Sequence, residues 1–178
     1  MAKDRIEVGV VLERRETSNK WIDHSWHLVG VLPGAAPTEA WVELARGEGW
    51  VRFHAGTLPV EIFHGETEGY KYNLSLEPPV IFVVLDPDAE GEHEVEPSLV
   101  TVCPYEAQDY LDASENEVQS TAMPPVIASW LSAFVEQHHV DEPFKKRKRT
   151  PHPDKKPHTD EINELIVPGI GTRGDRRD

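Results

Sequence analysis

A run of five cations limits how far along the chain a folded domain can extend. Residues 145–149 are consecutive lysines and arginines. Adjacent cations repel one another, and burying all of them would cost more free energy than folding supplies. The run therefore predicts that the folded domain ends at residue 149. It also offers a contact surface for an acidic partner.

The segment before this run is strongly acidic. The 178-residue chain carries 18 Lys+Arg and 32 Asp+Glu, a formal charge of −14. Ten of the cations and six of the acids lie in residues 145–178, which leaves eight cations, 26 acids and a formal charge of −18 in residues 1–144. A body this acidic repels phosphate backbones, so nucleic acid is disfavoured as the main partner.

The cysteine content and the apolar runs indicate the cellular compartment. The single cysteine, Cys103, excludes an intramolecular disulfide and a thiolate zinc site within one chain. The longest apolar runs, such as residues 80–85, are far shorter than the ~20 residues that span a bilayer. The N-terminus has no apolar signal core. These features predict a soluble cytoplasmic protein without membrane association.

Seven segments have the pattern of β-strands. Residues 6–14 alternate apolar and polar positions with a period of two, and residues 80–85 form a nearly continuous apolar run typical of a central strand. Pro59 predicts an edge or a bulge for its strand. The first two strands would pair as an antiparallel hairpin. The seven predicted strands cover residues 6–14, 21–32, 50–54, 58–64, 70–76, 80–85 and 99–103.

Helical periodicity appears only after the strands, apart from a short helical turn predicted near residues 38–44. Residues 105–112 follow a proline, and residues 126–139 carry a broad apolar face, so both segments predict helices. An acidic loop is predicted between them. The order predicts an α+β domain over residues 1–149, an antiparallel sheet or small β-barrel with two C-terminal helices. Residues 150–178 predict a disordered charged tail with an apolar island at 162–167.

The candidate metal and catalytic residues are weakly patterned. Asp23 and His27 would share one face of a strand while His24 points away, and His54 and His64 could complete a ligand set. More often such residues line the solvent face of a sheet. Cys103 precedes a predicted helix, whose N-terminus can lower a thiol pKa, but its apolar neighbours favour a buried structural cysteine. The sequence therefore predicts no catalytic residue, no metal and no cofactor.

Two kinds of binding surface are predicted. The basic run could cap the preceding helix, bind nucleic acid or an anionic membrane, or dock on an acidic protein surface, including this protein's own body. The sequence favours the first and last of these. Tyr70 and Tyr72 are predicted as further exposed contacts. The favoured partner-binding residues are Phe144, Lys145, Lys146, Arg147, Lys148 and Arg149. The alternative is a β-barrel that binds a small molecule or cofactor, with a pocket formed by Trp21, Trp26, His27, His54 and His64.

Several short strings resemble a known group of sequences. They include Trp26-His27, the stretch at residues 66–70, Pro104-Tyr105-Glu106-Ala107 and residues 143–147. Over residues 5–149 the chain resembles an uncharacterised bacterial family that is encoded beside molybdenum-dependent formate dehydrogenase genes. That family is loosely labelled molybdopterin-guanine dinucleotide biosynthesis protein A.

The resemblance implies a setting for the protein and no catalytic residue. The glycine-rich nucleotide loop of true guanylyltransferases does not follow the first predicted strand, where residues 13–15 are Glu-Arg-Arg. The setting that the resemblance implies is molybdoenzyme assembly or function, and together with the absence of any catalytic constellation it favours a non-catalytic accessory protein. Its partner would be a formate dehydrogenase subunit or a maturation factor.

Overall fold

The computed structural model describes residues 4–38, 41–87, 90–143 and 145–146. Every strand and helix lies in the unit formed by residues 1–141, and the second unit starts at Glu142. Among the described residues, every helix is too short or too polar to cross a bilayer. The strands are β1 (Asp4–Glu16), β2 (His24–Pro33), β3 (Val42–Gly47), β4 (Trp50–Ile62), β5 (Val80–Asp86), β6 (Glu96–Thr101) and β7 (Glu117–Ala122). The helices are α1 (Thr67–Leu74), α2 (Pro104–Ala113) and α3 (Pro125–His138).

The strands form two antiparallel sheets that face one core. The first sheet has the order β2-β1-β4-β3 and the second the order β6-β5-β7. At the two seams between the sheets, β4 lies beside β6 and β2 lies beside β7. The predicted α+β class, with its antiparallel strands, is confirmed. The predicted hairpin is β1 paired with β2, and β5 is the central strand of its sheet.

Strand β4 is one long strand, whereas the sequence pattern predicted two separate strands at residues 50–54 and 58–64. A register shift opposite Gly56 lets β4 bend while it stays paired with β1. Strand β3 pairs with β4 only as far as His54, so Pro59 lies where β4 has a ladder neighbour on one side only. The proline, which has no N–H to donate, therefore fits the predicted edge or bulge position.

The space between the sheets is filled by side chains. Helices α1 and α3 contact each other and close one side of this core with Tyr70, Ile127, Leu131 and Phe134. Close packing of this kind supplies most of the free energy of folding. The inner faces of the sheets contribute the fully buried residues Val8, Val10, Leu12, Val60, Ile62, Ile81, Val83 and Leu85.

Helix α1 corrects the strand predicted at residues 70–76. Its buried positions, Thr67, Tyr70 and Asn73, are three residues apart and so lie on one face of a helix. The Asn73 amide donates to Val80 O (2.7 Å) and Val102 O (2.8 Å), and its oxygen accepts from Val80 N (2.9 Å). The side chain thus ties the helix to the start of β5 and to Val102, and the contact with Val102, 29 residues away, helps to override local strand propensity.

Two further predictions were wrong. The helical turn predicted near residues 38–44 is contradicted by β3, which begins at Val42. The acidic loop predicted before α3 contains β7, which pairs with β5 along its whole length. In both places the edge of a neighbouring strand is free to pair. The backbone hydrogen bonds made with that edge outweigh the weak local sequence pattern.

Candidate functional site

The five residues predicted to form a pocket lie in different parts of the fold. Trp21 lies in the β1–β2 connection and is 91% exposed, whereas Trp26 and His27 lie on β2. His54 lies over Gly9, where an added Cβ would come within 2.7 Å of the imidazole, and contacts the Thr57 hydroxyl at 3.1 Å. His64 follows β4 and lies against Phe134 of α3.

Trp26 and His27 are therefore the two predicted pocket residues that share one opening. This opening, the β2–β7 groove, lies at the start of both strands and has a volume of roughly 770 Å³. Pro87, Glu94 and Val95, from the two ends of the β5–β6 connection, form its third side. The groove is lined by Ile22, His24, Ser25, Trp26, His27, Pro87, Glu94, Val95, Glu117 and Gln119.

A cluster of aromatic rings supports the floor of the groove. Trp26 meets Trp41 edge to face at a centroid distance of 5.2 Å and lies 6.0 Å from Phe53. His93 stacks on Trp41 at 4.1 Å and contacts Phe53 at 5.0 Å. Desolvation by burial lowers the pKa of His93, which favours a neutral ring. The cluster fixes the position of the Trp26 ring.

Gln119 joins the two strands that border the groove. Its side-chain oxygen accepts from Leu28 N at 2.7 Å, and its amide nitrogen donates to Trp26 O at 3.0 Å. The same nitrogen donates to Glu117 Oε1 at 2.6 Å. One side chain thus makes the two hydrogen bonds to β2 that a neighbouring strand would make with its backbone.

The sequence analysis identified Trp26 and His27 but missed the rest of this site. Gln119 and Glu117 lie in the segment interpreted as an acidic loop, and Trp41 lies in the segment interpreted as a helical turn. His93 and Glu94 lie in a connection without periodic pattern. The sequence signal for Trp26 and His27 was the close spacing of tryptophans and histidines within residues 21–27.

Three of the histidines in the described part of the chain lie close together at the end of α3. His64 and His138 lie with ring centroids 4.0 Å apart, and His139 contacts Thr67 Oγ1 and Asp141 Oδ1, each at 3.0 Å. The carboxylate of Asp141 also accepts from Lys71 at 2.7 Å, which lowers its pKa. Within the described residues, no three His, Cys, Asp or Glu side chains lie close enough to hold a metal ion.

Cys103 lies at the N-terminus of α2, as predicted, but its environment favours the thiol. Burial raises the pKa of Cys103, although the N–H groups of Glu106 and Tyr105 favour the thiolate. The thiol is 2% exposed and lies beneath α1, where a Cβ on Gly69 would come within 3.0 Å of its sulfur. The residue therefore packs as a small apolar side chain.

Tyr70 and Tyr72, predicted as exposed contacts, have different environments. Tyr72 is 53% exposed, but Tyr70 is fully buried, so the prediction was wrong for Tyr70. The two tyrosines lie two residues apart on α1 and so point in different directions.

Part of the predicted partner-binding run is described by the structure. Lys145 and Lys146 are both exposed. Phe144 and residues 147–149 lie outside the described residues, as do the predicted tail at 150–178 and its apolar island.

Comparison with known protein families gives a match over most of the chain. A family described as "Protein of unknown function (DUF3305)" matches residues 7–148, which nearly coincides with the span of the resemblance noted above. No curated protein and no solved structure matched the chain significantly.

Proposed function

We propose that this chain, which belongs to the DUF3305 family, is a non-catalytic accessory protein that binds a partner protein. The partner is a subunit of a molybdenum-dependent formate dehydrogenase or one of its maturation factors. The choice of partner rests on the resemblance of residues 5–149 described above. The binding role rests on the physical features that follow.

The filled space between the two sheets is the observation that carries the proposal. A binding barrel keeps a chamber whose polar groups converge on a ligand. Here the inner faces of both sheets and of α1 and α3 meet in one continuous apolar core. The side chains that could make specific contacts therefore lie on the outer surface, where a protein partner can reach them.

Charge asymmetry provides a second line of support. Residues 1–144 carry a formal charge of −18, and the basic run follows directly. Surfaces of opposite sign accelerate the encounter with a complementary partner and fix its orientation. The exposed Lys145 and Lys146 begin this run, and Phe144 would add the apolar contact that charges lack.

A small-molecule ligand is the second candidate, because Trp26 and His27 both line the β2–β7 groove. A flat ring could stack on the indole and hydrogen-bond to the imidazole. The groove is open to solvent along its length, however. This shape suits a segment of a protein better than a small molecule, which usually needs most of its surface enclosed.

Affinity capture tests the proposal. The intact chain, tagged at its N-terminus, is expressed at native level in its own cells, and co-purifying proteins are identified by mass spectrometry. We expect enrichment of a formate dehydrogenase subunit or a molybdenum-cofactor maturation factor over a tag-only control. Reciprocal capture from the tagged partner should return this chain. Enrichment of neither class would contradict the proposal.

A further inference from the structure

We propose that the β2–β7 groove binds an extended basic segment of the partner protein, with a lysine or arginine side chain over Trp26 and beside the carboxylates of Glu94 and Glu117. This inference rests on the proposed function and names the chemistry of one contact. The groove would be an acidic contact surface for the partner, in addition to the basic run.

The residues that line the groove favour a cation. Glu94 comes from the β5–β6 connection and Glu117 begins β7, and both are exposed. No lysine or arginine is among the described residues that line it. A guanidinium held over an indole face and near a carboxylate gains both cation–π and charge-assisted contacts.

The aromatic cluster makes Trp26 a firm platform. Trp41, Phe53, His93 and the groove residue His24 pack against it at centroid distances of 5.2 to 6.0 Å. The guanidinium of Arg14 already lies 5.9 Å from the Phe53 ring, within this cluster. Among Trp26, Trp41, Phe53 and His93, it is Trp26 that also lines the groove. An added cation in the groove could therefore contact the Trp26 indole.

The edge of β2 favours an extended occupant. Gln119 satisfies Trp26 O and Leu28 N, so these residues present their backbone groups to the outer edge of the strand. Alternate residues of an antiparallel strand face the same edge, and His24 therefore presents its backbone there too. A partner segment laid along this edge could continue the ladder beyond Gln119.

The net charge of residues 1–144 also favours a basic segment over an acidic one. The formal charge of −18 in residues 1–144 attracts cations and repels acidic peptides. In an extended segment, side chains two residues apart point the same way. A sequence with cations at alternate positions would thus direct them all toward the groove.

A labelled peptide provides a direct test. The probe is a fluorescein-labelled octapeptide of alternating arginine and glycine, titrated with the full chain and followed by anisotropy. The matched control peptide replaces arginine with glutamate. We expect saturable binding of the arginine peptide that weakens as salt rises, and no binding of the glutamate peptide.

Two double variants separate the groove from overall charge. Glu94→Gln with Glu117→Gln removes the groove carboxylates and keeps an oxygen to accept from Gln119. Glu61→Gln with Glu136→Gln makes the same change in net charge at exposed sites elsewhere. We expect the groove variant to bind roughly fivefold more weakly, from two partly exposed ion pairs. The control variant should stay within about twofold.

The outcomes distinguish this inference from the proposed function. Equal weakening in both double variants, or no saturable binding by the unaltered chain, would overturn the groove assignment. Partner capture that is unchanged in the Glu94→Gln, Glu117→Gln variant would also overturn it while leaving the proposed function intact. Failure of the unaltered chain to capture either partner class would contradict the proposed function itself.

Discussion

Tyr70 is the largest fully buried side chain among the described residues, and its hydroxyl group joins two parts of the fold. The oxygen accepts from Phe63 N at 3.0 Å at the end of β4, and the hydroxyl donates to Glu66 Oε2 at 2.8 Å, just before α1. Burial raises the pKa of Tyr70, so the phenol keeps its proton in the folded state. Tyr70, which was predicted from sequence to be exposed, thus makes polar contacts inside the fold.

The first prediction concerns this hydroxyl. Tyr70→Phe should lower the free energy of unfolding by about 0.5–1.5 kcal/mol, because it removes the acceptor of the partly buried Phe63 N–H. Tyr72→Phe, at an exposed position of the same helix, is the control and should change little. Urea unfolding at neutral pH measures both.

The raised pKa of Tyr70 has a consequence in alkali. The stabilising effect of the protonated phenol is complete below the unfolded tyrosine pKa near 10 and decreases as pH rises above it. An absorbance titration of the folded protein should lack the ionisation of one tyrosine until unfolding. Ionisation of all four tyrosines without unfolding would contradict this environment.

Glu13 is a second polar residue with little exposed surface. Its carboxylate accepts from Arg15 Nε and, at 2.5 Å, from Arg52 Nε. Hydrogen bonds from Arg15 and then Arg52 lower the pKa of Glu13. The side chains of Arg15 and Arg52, which cover the Glu13 carboxylate, are 57% and 42% exposed. Solvent therefore screens both ion pairs.

The second prediction concerns this pair of contacts. Glu13→Gln should lower the free energy of unfolding by about 1 kcal/mol at pH 7. This value is the upper end of what solvent-screened ion pairs usually contribute. The lowered pKa adds stability above the ordinary glutamate value of 4.5, and this is lost as pH falls through the folded value. Urea midpoints of variant and wild type should converge in acid. A constant difference down to pH 3 would contradict the assignment.

Among the larger elements, β7 and its Gln119 hold the two sheets together at one seam. The third prediction is that Gln119→Ala lowers the free energy of unfolding by about 1–2 kcal/mol, because Leu28 N and Trp26 O each lose a partner. Hydrogen exchange of the Leu28 amide should accelerate as well. Gln137→Ala, exposed on α3, is the control. Unchanged exchange at Leu28 would show that water replaces the bridge without cost.

The elements that the sequence pattern predicted well are those whose own periodicity matches their burial. Helix α3 buries Ile127, Leu131 and Phe134 at helical spacing. Strand β1 forms where its alternation predicted a strand, but its burial is continuous from Val8 to Glu13 because both of its faces are covered. Helix α1 and strand β7 were missed because long-range contacts determine them. The Asn73 amide also holds α1 to Val102, 29 residues further along the chain, and the free edge of β5 recruits β7. A local window contains neither partner.

The same limit applies to the candidate site. Trp26 and His27 were identified because tryptophans and histidines are rare and stand close together in sequence. Trp41, His93 and Gln119 reach the site from three distant segments, and each depends on the sheet topology for its place. His54 and His64 were grouped with Trp26 from their positions on the two arms of a neighbouring predicted hairpin, and a strand pattern does not fix how far apart the strands lie.

At the scale of the whole molecule, the distribution of charge is the feature most relevant to function. An acidic body with an aromatic groove is followed by a basic run, and the two would meet different surfaces of a partner. The alternative role of the run is to cap α3. That helix ends at His138, seven residues before Lys145, whereas the helix dipole acts within the last turn.

One variant tests the central claim that this protein acts by binding a partner through the basic run. Lys145, Lys146, Arg147 and Lys148 are all changed to Glu, and both partner capture and the melting temperature are measured. Changing Lys155, Lys156, Arg173 and Arg176 to Glu gives a control with the same net charge. We expect the run variant to lose capture of the formate dehydrogenase component and keep its melting temperature, while the control keeps both. Intact capture by the run variant together with a lower melting temperature would contradict the claim.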